Sequence, residues 1–435
     1  MAPRLARIGA GGVAQAGRQS ARALKERRML TLLDRGDLFD VSLPLGLVCV
    51  LALASCLYTL LSIFALRRFP RENRDAAPRM APSVTILKPL YGAEPRLADH
   101  LLTFCRQSYD GPVQILFGVH DPLDPAAAVA RRIVNAVRAG EILGAPAGLT
   151  AELVIEPARH GVNGKVDNLI NLSRAIAGEV VVLADSDIIV APDYLSRLTA
   201  ALEPEGVGAV TCLYRGVAME GVWSRLCAMG VNYAFLPNVT TGLALNMAKP
   251  CVGATIALRR EVLEQIGGFA PLKDQLADDF MLGALVRDLG LKVVVADFAV
   301  LHAHGERSFS DLWRQEMRWA RTIRSLDPAG YFGTIVTHAS GWGLLAMVFA
   351  GFAPSAALLF FAAVTCRVIL HDEVDLRFPG QARPLHLTLL RDLLGFCVFW
   401  ASYLPGQLYW RGQDFSLRDD GVMTPVEEER AEVAR

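Results

Sequence analysis

At 435 residues the chain exceeds one ordinary domain, and its 52% hydrophobic content lies above the soluble average. Forty-four Lys and Arg residues balance 44 Asp and Glu residues, so no polyanion-binding footprint is present and nucleic acid is excluded as an expected partner. The eight cysteines are scattered without a Cys-x-x-Cys pair, which reads as buried small hydrophobes in a reducing compartment rather than as a cysteine-ligated metal.

Residues 1–40 form a basic, Ala-rich extension that reads as a floppy terminus in preference to a membrane-surface helix. Residues 41–66 carry no charge for 26 positions, enough at a helical rise of about 1.5 Å per residue to cross a bilayer. Arg67, Arg68, Arg71, Arg74 and Arg79 follow the span, and this excess places the downstream side in the cytoplasm. The soluble region at 83–325 is then cytoplasmic.

Within that region strand and helix signals alternate. Strands are expected at 84–87, 113–119, 151–155 and 180–183, and helices at 96–106, 125–138 and 165–177. The pattern predicts an α/β domain with a mostly parallel central sheet, whose ligand crevice lies at the carboxyl ends of the strands, where Asp121 and Asp185 would meet. The buried run Val180 to Leu183 ends in Asp185-Ser186-Asp187. Two acids at a strand end call for a cation, and Mg²⁺ or Mn²⁺ carrying phosphate takes such oxygens. Taken alone, an Asp-x-Asp before Pro192 reads as well as an Asp-rich turn.

No Gly-x-Gly-x-x-Gly or Walker-type loop occurs in this domain, which removes the usual support for dinucleotide oxidoreductases and nucleotide hydrolases. Lys165 reads as a cation beside a helix start. Further strands are expected at 207–212 and 255–258, with helices at 222–230 and 260–266. The weakly polar stretch 231–250 fits either core or an apolar acceptor entrance. Asp278 and Asp279 open a helix that runs to Leu289; Asp278 reads as N-terminal capping, Asp279 less so. Trp313 to Arg321 packs cations and tryptophans into one helix within an interfacial stretch near 310–325, suited to snorkelling at a membrane or to clamping a diphosphate. His302 and His304 fit packing and a donor-site role equally, and His338 reads as packed.

Residues 331–408 hold apolar segments at 331–352, 355–370 and 393–408, followed by a polar tail at 409–435. Arg367 in the second segment and the length of the third leave tilted, re-entrant or interfacial elements open beside full spans. Three full spans put the tail outside; a tail that covers the catalytic domain requires that one segment does not cross.

Asp121, Asp185-Ser186-Asp187, Asp279 within Ala-Asp-Asp-Phe, and Gln315-Glu316-Met317-Arg318-Trp319 together resemble the three aspartate motifs and the Gln-x-x-Arg-Trp motif of membrane glycosyltransferases with the nucleotide-diphospho-sugar (GT-A-type) fold. Residues 83–92, Lys165-Val166-Asp167-Asn168-Leu169 and the Gly267-Gly268 turn resemble more narrowly the ceramide glucosyltransferase-like group and its bacterial relatives that glycosylate hopanoids. The resemblance runs from about residue 43 to 410. It implies that Asp121 addresses the uracil and ribose of a UDP-sugar, that Asp185 lies near the metal and diphosphate, and that Asp279 is the general base. It also implies that Gln315, Arg318 and Trp319 close over the diphosphate, with Lys165 on the donor side. Animal ceramide enzymes depart from a full Asp-x-Asp, so whether Asp185 or Asp187 is the nearer ligand of Mn²⁺ or Mg²⁺ stays open.

The resulting expectation is a multi-pass protein of the bacterial inner (cell) membrane, an inverting hexosyltransferase with Asp279, backed by Asp278, as base. It would move a sugar from UDP-N-acetylglucosamine or UDP-glucose to a membrane lipid hydroxyl, leaning to a hopanoid polyol. Ceramide glucosyltransferase, processive polysaccharide synthase and non-catalytic membrane scaffold stand as the alternatives.

Overall fold

The computed structural model describes residues 35–92, 94–381, 383–406, 408–410, 413–417 and 421–425. Most of the basic extension expected at 1–40, and the end of the tail beyond 425, lie outside the described residues. Helix α1 (Arg35–Arg68) contains the stretch Leu43–Arg68, 26 residues of mean hydropathy 2.4 that are long and apolar enough to cross a membrane. Its three buried hydroxyl residues satisfy themselves along the helix, Ser55 on Leu51 O at 2.7 Å, Thr59 on Ser55 O at 2.8 Å and Ser62 on Tyr58 O at 2.9 Å. No unpaired donor is thereby left in an apolar setting.

The α/β domain follows. Strand β1 (Val84–Pro89), buried at every position, pairs in parallel with β2 (Val113–Val119) on one side and β4 (Val180–Ala184) on the other. Strand β3 (Thr150–Ile155) extends the parallel half beyond β2. Their near-continuous apolar runs reflect burial under helices on both faces. Helices α2 (Leu97–Cys105) and α3 (Pro125–Arg138) pack into one core layer and α4 (Gly164–Ser173) into the other. Helix α3 starts where its residues dictate: Asp124 caps Ala126 N at 2.8 Å and Pro125 stands where no N–H is needed.

Beyond β4 the sheet departs from the mostly parallel expectation. The order is β3-β2-β1-β4-β7-β6-β8-β5. Strand β7 (Thr255–Arg259) runs antiparallel to both β4 and β6 (Val207–Ala218), β8 (Lys292–His304) returns parallel to β6, and the short β5 (Ile188–Ile189) closes antiparallel on β8. The sheet is therefore mixed. The apolar pattern predicts neither β5 nor β8, because Asp297 and the two histidines interrupt the apolar run of β8 and β5 is two residues long.

Helix α5 (Tyr194–Leu202) covers the first core layer. Helix α6 (Gly221–Gly230) continues through a π-helical turn (Val231–Phe235) into α7 (Leu236–Ala244), which lies against α1 through Thr241 Oγ1 to Ser62 Oγ at 3.0 Å and through Tyr58 to Asn238 Oδ1 at 2.9 Å. The stretch 231–250 is thus packed at its start, while Met247 is 80% exposed at its end. Helices α8 (Arg260–Gln265) and α9 (Asp278–Asp288) precede β8.

Helix α10 (Phe309–Leu326) follows β8, opened by a reciprocal capping box between Ser308 and Asp311. Helices α11 (Pro328–Gly333) and α12 (Ala339–Phe349) belong to a pair bent by 62° that spans a membrane only if taken together, whereas α13 (Pro354–Arg377) passes alone with a mean hydropathy of 1.6. Two helices long and apolar enough to cross make the chain a multi-pass membrane protein. The third expected segment becomes α14 (Thr388–Ala401), whose 14 residues reach only about 21 Å at the helical rise, short of the hydrocarbon core. The tail then forms β9 (Leu408–Trp410), β10 (Gln413–Leu417) and β11 (Met423–Pro425) and joins the α/β domain, with Met423 N on Asp274 O at 2.9 Å and Leu276 N on Gly421 O at 3.1 Å. Tail and α/β domain therefore share one side, the arrangement in which one apolar segment does not cross.

Candidate active site

The Lys165-Val166-Asp167-Asn168-Leu169 stretch shows how local sequence builds the site. Asn163 caps α4 by accepting Lys165 N at 2.9 Å and Val166 N at 3.2 Å. Buried Asp167 accepts His160 N and Gly161 N, both at 2.9 Å, which fixes the loop ahead of the helix. Asn168 donates to Gly118 O at 2.8 Å, an approach open only because Gly118 has no Cβ. With α4 held this way, Lys165 Nζ lies 3.0 Å from Asp185 Oδ1 and 3.1 Å from Asp278 Oδ2.

Burial alone would lower the Lys165 pKa, but Asp185 and Asp278 outweigh it and raise it above the usual lysine range. Asp185 is raised by burial against the opposing pull of Lys165. Asp278 was expected to cap α9, yet the N-cap position falls on Ala277, without a side-chain cap, and Asp278 is buried on Lys165 instead. An ion pair to a buried ammonium outweighs a capping bond to one N–H. Its neighbour Asp279 is half-buried, and burial followed by the Asp278 charge pushes its pKa up to about 6. A Cβ on Gly253 would stand 2.8 Å from Asp279 Oδ2, so a glycine is needed to seat this carboxylate.

Asp187 faces the other way. Strand β5 pairs Ile188 with His302 on β8, and this brings His302 Nε2 to 3.0 Å from Asp187 Oδ2. Burial opposes ionisation of Asp187, but the His302 interaction outweighs it and holds the carboxyl well below the usual range. The same contact raises His302 against its burial. Asp187 Oδ1 and His302 Nδ1 are buried without a hydrogen-bond partner.

Behind this edge, buried Lys88 donates from Nζ to Asp185 O at 2.5 Å and sits 3.7 Å above the Phe104 ring. Burial brings its pKa down to about 7. Ser186 Oγ donates to Glu94 Oε1 at 2.6 Å, and burial, with Asp187 adding, pushes Glu94 up to about 7.

A cavity of about 500 Å³ opens beside Asp187 and His302 and is walled by Glu94, Gln315 and Arg318. Arg318 donates to Gln315 Oε1 at 3.1 Å, which orients its guanidinium on the cavity side of α10. Trp319 does not line the cavity; it packs behind, 6.3 Å from His302 and 6.1 Å from His304 by ring centroids. Between them, Glu316 is buried on the far face and forms a fork with Arg391 of α14, both bonds at 2.8 Å.

The structure thus brings Asp187, Gln315 and Arg318 to one cavity and gathers Asp185, Lys165, Asp278 and Asp279 beside it. Asp121 stands apart from Asp185: β2 and β4 flank β1, so the two aspartates leave the sheet about 10 Å apart at the usual strand spacing. Its Oδ1 accepts Leu123 N at 2.8 Å in the turn after β2. Sequence reasoning did not single out Glu94 or Lys88 and left His302 open. The His302-Ala303-His304 alternation at a strand end was the available signal for the last.

Two groups could hold a divalent metal. Asp187 and His302 offer carboxylate and imidazole, each with an unpartnered buried atom. Cys227, His304 and Glu306 bring their ligating atoms within 4.8 Å of one another, which runs against the expectation that no cysteine takes part in a metal site.

The structure thus joins two helices long and apolar enough to cross a membrane to a mixed α/β sheet with acids at its edge and a guanidinium-bearing helix over a cavity. The sequence matches the family described as glycosyl transferase family 21 over residues 47–423, and the chain belongs to that family. It is 22% identical to ceramide glucosyltransferase 3 of Caenorhabditis elegans over 92% of this chain and 85% of that protein. It is 26% identical to an N-acetylglucosaminyltransferase of Mesorhizobium japonicum over 77% and 83%. The match to ceramide glucosyltransferase 1 of Caenorhabditis elegans, 22% identical, spans 57% of this chain and 51% of that protein. Among solved structures, a mannosyltransferase of Pyrobaculum calidifontis in complex with GDP-mannose and Mn²⁺ is 21% identical, covering 82% of this chain and 98% of its own, at a TM-score of 0.47.

Proposed function

We propose that this glycosyltransferase moves a sugar from a UDP-sugar to the hydroxyl of a membrane lipid with inversion at the anomeric carbon, and that the lipid is a ceramide. The observation that carries the reading is the cavity shared by Asp187, His302 and the α10 residues Gln315 and Arg318, on a helix tied to α14 by the Glu316–Arg391 fork. That fork ties the cavity-lining helix to an apolar segment that follows the membrane-spanning α13, an arrangement that suits an acceptor reaching the site from the bilayer. The likeness to ceramide glucosyltransferases favours a ceramide over the hopanoid polyol expected from the sequence, since hopanoids figure in none of the relatives named above. The Mesorhizobium relative supports N-acetylglucosamine beside glucose as the sugar.

Asp187 and His302 would hold Mn²⁺ or Mg²⁺, with Asp185 adjoining, and the cation would neutralise the charge that develops on the diphosphate leaving group. Arg318, oriented by Gln315, offers the diphosphate a planar fork of donors. Asp121 would meet the uracil and ribose. Lys165 holds Asp185 and Asp278 in place from the donor side. Asp279 takes the proton of the attacking hydroxyl: its pKa of about 6 leaves it ionised at neutral pH while keeping it more basic than an exposed aspartate. One base and one displacement give inversion. Asp278, engaged by Lys165, supplies charge rather than basicity.

The test is transfer from radiolabelled UDP-glucose and UDP-N-acetylglucosamine by the full chain in detergent, offered ceramide and a hopanoid polyol in parallel, with products read by mass spectrometry. A β-linked hexosylceramide is expected. Product on the hopanoid alone overturns the acceptor assignment, and product on neither with intact donor hydrolysis overturns the lipid reading.

A further inference from the structure

Beside the acid edge lies a group of different chemistry. Cys227 comes from α6, His304 from the last position of β8 and Glu306 from the loop that follows, and their ligating atoms all fall within 4.8 Å. Cys227 is fully buried and His304 is 2% exposed. His304 Nδ1 and Glu306 Oε1 are 3.5 Å apart, too long for a strong bond, and the Cys227 thiol interacts with the same carboxylate, while His304 Nε2 and Glu306 Oε2 are buried without a hydrogen-bond partner. Unpaired buried polar atoms on two members of a three-member cluster are costly, and a cation met through those atoms would remove that cost.

We propose that Cys227, His304 and Glu306 bind a thiophilic divalent cation, Zn²⁺, in a site distinct from the donor-site metal at Asp187 and His302. The donor set decides the metal. A thiolate with an imidazole and a carboxylate suits Zn²⁺, whereas Mn²⁺ and Mg²⁺ prefer the carboxylate and phosphate oxygens of the neighbouring site. On binding, the Cys227 thiol releases its proton to solvent, so thiolate and carboxylate carry two negative charges against the dication. His304 and Glu306 line the cavity, which leaves the fourth position to a water there. The ion would pin α6 to the end of β8, directly behind the histidine that pairs with Asp187; the two imidazole centroids are 4.4 Å apart. Its role is to hold the cavity wall, and it does not depend on which lipid is glycosylated.

The experiment measures metal in the purified full chain in detergent, stripped with a strong chelator and reloaded with Zn²⁺ or Co²⁺ before removal of free ion. Elemental analysis should find about one retained Zn²⁺ per chain in the wild type and in D187N, and less than about a tenth of that in C227S and E306Q, as expected for loss of one of three protein ligands. The Co²⁺ form should show a thiolate-to-cobalt charge-transfer band that C227S lacks. Wild type retaining no more Zn²⁺ than E306Q, or a Co²⁺ form without a thiolate band, overturns the site. So does Zn²⁺ lost in D187N and kept in C227S, which moves the ion to the acid edge. Should C227S fail to fold, E306Q and the wild-type cobalt spectrum decide the matter unaided.

Discussion

Two sets of charges lie on opposite faces of the same helix, α10, and they are built differently. On the membrane side Glu316 and Arg391 meet fork to fork, and Arg367 of α13 meets Asp392 through bonds of 2.8 Å and 3.0 Å, with Ser340 and Tyr233 O completing the group. Each of these charges has a permanent partner and little contact with water. On the cavity side Asp185 and Asp187 stay about one third exposed, Asp187 keeps an unpaired oxygen, and Asp279 and Glu94 are pushed up toward neutrality. The membrane-side charges are mutually satisfied. Those on the cavity side are left with bonding capacity that a donor, a cation or a proton can take up.

The difference is broken most severely at Asp187. Replacing it with Asn keeps the shape and removes the charge that would face the cation, so sugar transfer should fall about a thousandfold, the scale of losing a positioned electrostatic contact in a transition state. Prior chelation should produce the same loss in the wild type, restored by Mn²⁺ or Mg²⁺. Radiolabelled transfer rates decide it, and D187N activity above a tenth of wild type would move the catalytic cation elsewhere.

A smaller loss is expected at Asp279. D279N should slow transfer about a hundredfold, the low end for a positioned base, while calorimetric UDP affinity stays near normal. In the wild type kcat/KM should rise with pH through about 6 and level off above, because the base must be ionised. Stability runs in the opposite sense. A carboxyl whose folded pKa is raised binds more protons folded than unfolded between about 4 and 6, so stability falls as pH rises through that window. D279N should therefore raise the thermal midpoint at pH 8 and leave it nearly unchanged at pH 4. An unshifted midpoint at pH 8 would show that the carboxylate is not strained by its surroundings, and a lost affinity for UDP would make Asp279 a donor-site residue.

How far the sequence could reach follows from the range of each interaction. The runs 84–87, 113–119 and 180–183 were legible because a strand buried on both faces announces itself by apolarity alone, and β1, β2 and β4 lie there. The Asp185-Ser186-Asp187 turn after β4 is equally local. Pairings across long sequence separations were not legible. His302 meets Asp187 only because β5 closes on β8, Lys165 meets Asp278 only because α4 and α9 converge on one strand end, and Cys227 meets Glu306 through α6 turning under β8. The mixed sheet has the same origin, since β7 gives no local sign of the direction in which it inserts between β4 and β6. Arg367 made the second apolar segment look interrupted, and its partner Asp392 shows why such a residue is tolerated.

The smallest effect on catalysis is expected where the charges are best satisfied. Glu316 and Arg391 lie 8% and 5% exposed, and Gly230 at the end of α6 leaves room for the fork, since a Cβ there would stand 2.7 Å from Arg391 Nη2. Breaking one side of a buried pair strands the other charge, so R391M alone should cost about 3–5 kcal/mol of stability. The double variant E316L/R391M removes both charges and substitutes apolar volume, and such replacements of buried pairs run from neutral to stabilising. It should recover most of the lost stability and transfer sugar within about threefold of wild type, if α10 needs only to be held and not to be charged on this face. Thermal unfolding in detergent together with transfer rates for the two singles and the double closes the cycle. A double variant as stable as wild type but inactive would show that the fork does more than hold the helix, and would place Glu316 with Arg318 in the catalytic apparatus.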